Sequence, residues 1–256
     1  MNTKILPCKV AENGFTSLLE LLGKDCSPIQ FIREYTFNSF EAINRTGKPG
    51  DILVDVNWLH YEMFDGVYRL SFTDNGDGMT GEEMIKYINQ LSSTKGKGLG
   101  ENYGVGAKVA AITRNPAGIL YESWTNGEGN QIFIRYDENE EKYGLVPFME
   151  DGLTEWYQPL DESVKPSLID QHGTRVTLYG MDPEHDTMER PTNISLTKES
   201  WLYRVITDRY FKIPENINLK VRIGYDRPRD NKKHNYLRVV KGQKEVFDRC
   251  KETSGS

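Results

Sequence analysis

Phe15, Leu18, Leu19 and Leu22 recur at i, i+3, i+4 and i+7, the spacing of one helical face, and Gly23 is expected to end that helix. Ser27-Pro28 offers a capping hydroxyl followed by proline at the first helical position. The helix it opens is predicted to reach Arg45 and to stop at Gly47 and Pro49, with Ile29, Ile32, Phe40 and Ile43 as its apolar stripe. Two strand-like runs follow, 52–58 and 67–73, with Asp65-Gly66 in their connection. Asp74-Asn75-Gly76-Asp77-Gly78-Met79 is too rich in Gly and Asp to continue the second run. Thr80 is placed to cap a helix over 81–91, with Glu83 completing a capping box. Glycines 96, 98, 100, 104 and 106 predict a mobile loop over 92–106, and a small-residue helix resumes over 105–113. Further strands are expected at 119–124, 131–136, 174–179 and 217–223, a hairpin turn at the acidic cluster 138–141, and a helix over 199–210.

Helices and strands alternate without a βαβ rhythm, which favours an α+β fold: a two-layer sandwich with helices on one face of a mixed, mainly antiparallel sheet. At 256 residues and 37% hydrophobic, the chain can bury one large core, and it is too apolar to be disordered. No apolar run approaches the ~18 residues of a membrane span. Pro7, Cys8 and Lys9 interrupt any secretory leader. Three cysteines without CxxC spacing point to a reducing compartment, so the cytoplasm is expected. Four scattered histidines form neither HxxxH nor HExxH, which argues against a histidine metal site. The net charge of −6 is uneven: residues 201–256 carry fourteen Lys and Arg against seven Asp and Glu. The division expected is therefore 1–225 as the main domain and 226–256 as a basic extension or the start of a following domain. The basic end has two readings, contact with nucleic-acid phosphates or a solvated β-rich terminus, and no aromatic–basic interleaving accompanies it in the sequence.

Four segments could carry chemistry. Glu34, Asn38 and Glu41 fall within about 60° of arc on a helix, so one face presents two carboxylates and an amide, or simply a solvated polar surface. Asp74, at a strand end, is either a turn residue or an acceptor for an amine, with Gly76 and Gly78 letting the backbone approach a flat ring. The glycine-rich segment 96–106 is not a P-loop, since no Gly-Lys is followed by Ser or Thr, nor does it stand where a Rossmann fingerprint would. It is a linker, or a cradle whose amides and following helix N-terminus hold anionic oxygens. Gly173-Thr174 opens a late strand, and its hydroxyl serves a ligand or decorates an edge.

The order of these segments resembles the GHKL ATPase superfamily, which includes gyrase, the ninety-kilodalton heat-shock chaperones, MutL and sensor histidine kinases. Arg33-Glu34-Tyr35-Thr36-Phe37-Asn38-Ser39-Phe40-Glu41-Ala42 resembles its first motif, and Asp74 to Met79 its second. Tyr103-Gly104-Val105-Gly106 resembles the third and Gln171-His172-Gly173-Thr174 the fourth, so the likeness spans roughly residues 28–223. One departure stands out. Where hydrolysing members usually have Asp, this chain has Glu41, whose extra methylene displaces the charge by about 1.5 Å. Glu34 matches the hydrolytic members rather than the histidine kinases, and none of the four histidines lies in a phosphoacceptor context. Gly104-Val105-Gly106-Ala107-Lys108 is also similar to the GxGxK of microrchidia (MORC) ATPases, which would allow a nuclear location.

The resemblance implies a Bergerat-type fold that binds ATP and Mg²⁺. It places the adenine amine on Asp74, with support from Gly76, Gly78, Met79 and Thr174. It makes Asn38 the Mg²⁺ ligand, Glu34 the general base, and Glu41 a further member of the pocket. Residues 92–106 become a lid, with Gly104, Val105, Gly106 and one of Lys95, Lys97 or Lys108 meeting the triphosphate. It implies slow hydrolysis, a nucleotide-dependent homodimer, and a following domain or partner chain. The alternatives are a kinase of the same superfamily and a nucleotide-sensing module that never turns over.

Overall fold

The computed structural model describes residues 14–24, 26–88, 109–150, 153–192 and 194–254. Helix α1 (Gly14–Lys24) and helix α2 (Gln30–Thr46) lead into strand β1 (Gly50–Val56), helix α3 (Trp58–Met63), strand β2 (Leu70–Asp74) and helix α4 (Gly81–Ile88). Strands β3 (Ile119–Thr125), β4 (Glu128–Asp137) and β5 (Lys142–Leu145) form a meander. The short strands β6 (Phe148–Glu150), β7 (Leu153–Glu155) and β8 (Gln158–Leu160) then precede β9 (Gly173–Leu178). Helix α5 (Trp201–Arg209), strands β10 (Ile217–Ile223) and β11 (Tyr236–Val239), and helix α6 (Gln243–Ser254) complete the chain.

The main sheet runs β11-β10-β1-β2-β9-β3-β4-β5, with β8 also on β4, while β6 and β7 pair separately. Among the described residues only the β1–β10 pairing is parallel, so the sheet is mixed and mainly antiparallel, as expected for the α+β class. Helices α2 and α5 pack on one face. Phe31 and Tyr35 of α2 meet Phe72 of β2 at ring-centroid distances of 6.4 and 5.2 Å, and Ile32, Ile43, Val54 and Val221 are fully buried nearby. The opposite face is polar but covered. Arg175 and Glu122 form a buried ion pair there, and Asn57 reaches Thr177 beside α3. The sheet also continues past residue 225, because β11 hydrogen-bonds to β10 and Val240 is buried, so the expected division at 225/226 falls inside the sheet.

Several boundaries differ from expectation for local reasons. Gly23 lies inside α1 rather than ending it; a Cβ there would approach Thr113 Oγ1 to 2.8 Å, so glycine serves a close approach. Ser27 does not cap α2, since 28–29 form a turn and the helix starts at Gln30 with no side-chain cap. Its other end is as expected, with Gly47 left-handed at φ 67°. Trp58 belongs to a helix rather than a strand, because the Asn57 side chain accepts the His60 amide and caps α3. β2 begins at Leu70, three residues later than expected. Arg69 is occupied elsewhere, donating to the carbonyls of Tyr179 and Pro183. The capping box of α4 forms as expected, with Thr80 N–H on Glu83 Oε2 at 3.0 Å and Glu83 N–H on Thr80 Oγ1 at 3.3 Å. Residues 138–141 turn between β4 and β5 as expected. The glycine-rich segment 92–106 and the first part of the helix predicted over 105–113 lie outside the described residues.

Candidate functional site

Antiparallel register places Asp74 opposite both Ile52 and Thr174, and Thr174 opposite Ser123. One row of side chains thus crosses four strands at one end of the sheet. The neighbouring row is Val54, Phe72, Val176 and Tyr121. Side chains two residues apart on a strand share a face, so both rows lie beneath α2.

The helix aligns with these rows by its own periodicity. Tyr35 sits over Phe72 and joins Tyr121, hydroxyl to hydroxyl at 3.0 Å, while burial pushes the Tyr121 phenol up to about 12. One turn further on, Ser39 Oγ donates to Asp74 Oδ2 at 2.8 Å. Another turn brings Ala42 against Gly76, where an added Cβ would lie 2.5 Å from the Ala42 Cβ. At about 100° per residue, Glu34, Asn38, Glu41 and Arg45 follow one flank of this contact line. The other flank carries Phe40, which meets Tyr210 just past α5 at 5.0 Å. The polar flank is therefore the one that α5 leaves uncovered.

Asp74 is buried and held by two donors, Ser39 Oγ on one oxygen and the Gly76 amide on the other at 2.9 Å. Burial pushes its carboxyl up to about 6, against the lowering effect of those two hydrogen bonds. Each oxygen retains a lone pair, which suits an exocyclic amine. Beside it, Ser123 Oγ accepts the Met79 amide at 2.8 Å and lies 2.8 Å from Thr174 Oγ1 and 3.1 Å from the Gly173 carbonyl. If Ser123 donates to that carbonyl, Thr174 donates to Ser123; if it donates to Thr174, the Thr174 proton is released toward a ligand. Two further buried atoms near this row, Thr125 Oγ1 and His172 Nδ1, have no hydrogen-bond partner among the described residues.

The positions a Cβ would take at Gly76 and Gly78 are filled by neighbouring protein. Gly78 is left-handed at φ +66°, and a Cβ there would stand 1.9 Å from the Trp124 carbonyl oxygen. The turn is also pinned from α2, since Arg45 grips Asp77 with a bidentate pair at 2.8 and 2.9 Å. Glu34 is buried and meets Arg33 Nη1 at 3.1 Å. Asn38 is half-buried, and its amide has no hydrogen-bond partner among the described residues. Glu41 is half-buried and contributes to the electrostatic field at Arg45.

The structure therefore brings Asp74, Gly76, Gly78, Met79 and Thr174 together at one end of the sheet beneath α2, and places Glu34, Asn38 and Glu41 along the adjoining flank of that helix. Lys95, Gly104, Val105, Gly106 and Lys108 lie outside the described residues. Sequence reading missed Ser39, Arg45 and Ser123. Ser39 and Arg45 stand within or just beyond the first motif at helical spacing from Tyr35 and Asn38, whereas only strand register exposes Ser123. Among the described residues no three His, Cys, Asp or Glu side chains cluster as a metal site, so a cation here would depend on ligands such as the Asn38 amide oxygen. No helix among them is long and apolar enough to cross a membrane.

No family model matches the chain, nor does any curated protein. Among solved structures, the chain is similar to the 43K ATPase domain of Thermus thermophilus gyrase B, solved in complex with an aminocoumarin. The identity is 19% and the TM-score 0.45, over 84% of this chain and 46% of that one. The chain thus spans about half the length of the structure it matches, and at this level the likeness carries none of the functional argument.

Proposed function

We propose that the chain is a GHKL-type ATPase module: it binds Mg-ATP at the end of the α2–sheet interface, hydrolyses it slowly, and acts as a conformational switch. The observation that carries this reading is the buried Asp74 carboxylate, fixed between α2 and β9 with acceptor capacity to spare. Asp74 accepts the adenine amine, and the Ser123–Thr174 hydroxyl pair supports the same end. Asn38 offers an uncommitted amide oxygen to Mg²⁺. Mg²⁺ held there would supply neutralisation of the triphosphate charge. Glu34 takes a proton from the attacking water at its carboxylate, after turning from Arg33. Gly104, Val105, Gly106 and Lys95 or Lys108 contact the phosphates. The GxGxK segment supports a MORC-like member. Nucleotide-dependent homodimerisation and a following domain or partner chain belong to the same proposal.

Incubation with γ-labelled ATP and Mg²⁺ tests it. Free phosphate supports the ATPase, labelled protein supports a kinase, and bound but unchanged nucleotide supports a sensing module. Glu34→Ala is expected to keep ATP affinity within about threefold and to lower turnover by about 100-fold or more. Turnover at the parental rate removes Glu34 from the chemistry.

A further inference from the structure

One buried hydroxyl of β3 ties together the two segments that flank Asp74. Ser123 is fully buried and stands across from Thr174, which itself stands across from Asp74 on the next strand. Its Oγ makes three polar contacts: the Met79 amide at 2.8 Å, the Gly173 carbonyl at 3.1 Å and the Thr174 hydroxyl at 2.8 Å. The Met79 amide can only donate and the Gly173 carbonyl can only accept, while a serine hydroxyl has one proton and two lone pairs. All three contacts are hydrogen bonds at once in a single arrangement. Ser123 gives its proton to Gly173, takes the Met79 amide on one lone pair, and takes the Thr174 proton on the other. Burial favours that arrangement, because a group left unpaired there has no bulk water to turn to.

Thr174 then keeps lone pairs and no free proton. Asp74, with Ser39 on one oxygen and the Gly76 amide on the other, also has only acceptor capacity to spare when ionised. Side by side, the two residues suit a ligand edge made of donors. A 6-amino purine brings two N–H bonds on one nitrogen, one for Asp74 and one for Thr174. A 6-keto purine brings an oxygen to the same place, and no proton lies between it and either acceptor.

We propose that Ser123 is a positioning residue that sets base specificity: by holding the Thr174 proton it keeps Thr174 an acceptor beside Asp74, and the pocket selects a 6-amino purine over a 6-keto purine. The inference rests on the ATP reading above and adds to it a residue that acts through Thr174 rather than on the nucleotide. In Ser123→Ala nothing competes for the Thr174 proton. That proton is then free to turn to a keto oxygen, while the N1–H of the same base meets Asp74.

Titration calorimetry at pH 7.5 with non-hydrolysable analogues of ATP and of inosine triphosphate tests it. The parent should prefer the 6-amino analogue, and Ser123→Ala should lower the ratio of the two affinities at least about fivefold, by weakening one and strengthening the other. Loss of the Met79 contact weakens both analogues alike, so a loosened turn leaves the ratio where it was. Thr174→Val should lower the ratio at least about threefold through the lost amine contact, and adding Ser123→Ala to it should change the ratio no further. Circular dichroism spectra identical to the parent's show that the variants fold. An unchanged ratio in either single variant, with selectivity for ATP that still depends on Asp74, overturns the inference and leaves the ATP pocket standing. Absence of ATP binding by the parent, or Asp74→Asn without effect on it, overturns both.

Discussion

Asp74→Asn should change stability and nucleotide affinity in opposite directions. Burial raises this carboxyl from 3.8 to about 6, so the folded state binds its proton more tightly than the unfolded chain. The linked stability is therefore present below about pH 4 and lost as pH rises through about 6. A difference of about two pH units at roughly 1.4 kcal/mol each puts the loss on the order of 3 kcal/mol. Asparagine removes the charge yet retains both partners, its oxygen accepting the Gly76 amide and its NH₂ donating to Ser39 Oγ. At pH 7.5 without nucleotide, the variant should gain about 1–3 kcal/mol, a melting temperature higher by a few degrees, and its stability should no longer decline between pH 4 and 6. The adenine amine donates more strongly to an ionised carboxylate, a bond worth about 1.5–3 kcal/mol, than to an amide oxygen already accepting from Gly76, so ATP affinity should fall about tenfold or more. For the same reason, parental ATP affinity should weaken as pH drops through about 6. Urea melts across pH and titration calorimetry with a non-hydrolysable ATP analogue measure both effects. A variant that is less stable at pH 7.5 with the parental pH profile refutes the burial argument, and unchanged affinity refutes the pocket.

Two substitutions away from the acceptor test the scaffold beneath it. Arg175→Met leaves Glu122 charged and alone beneath the opposite face of the sheet, so urea denaturation should show a loss of about 3–5 kcal/mol, most of it restored by adding Glu122→Leu. Gly78→Ala places a Cβ against the Trp124 carbonyl at positive φ, and should cost at least about 1–3 kcal/mol while weakening ATP analogue binding through the displaced Asp74–Met79 turn.

What the sequence determined by itself is what neighbouring residues decide. Strand β10 runs Ile217–Ile223 as its alternation predicts, Gly47 ends α2 because only a residue tolerant of left-handed backbone fits there, and Thr80 with Glu83 starts α4 through bonds three residues apart. Asp74 at a strand end and the Glu34–Asn38–Glu41 flank were legible for the same reason: one helical turn or one turn motif contains the signal. Tertiary structure alone decided how those pieces meet. Ser39 reaches Asp74 across 35 residues and Ser123 reaches Thr174 across 51, through register that no local pattern encodes. Gly23 lies against Thr113 and Gly78 against the Trp124 carbonyl, close approaches between segments far apart in the chain. Trp58 and Arg229 become neighbours only when β1 pairs with β10. Propensity and capping act over a few residues, whereas side-chain partners are set by which strands the sheet places side by side.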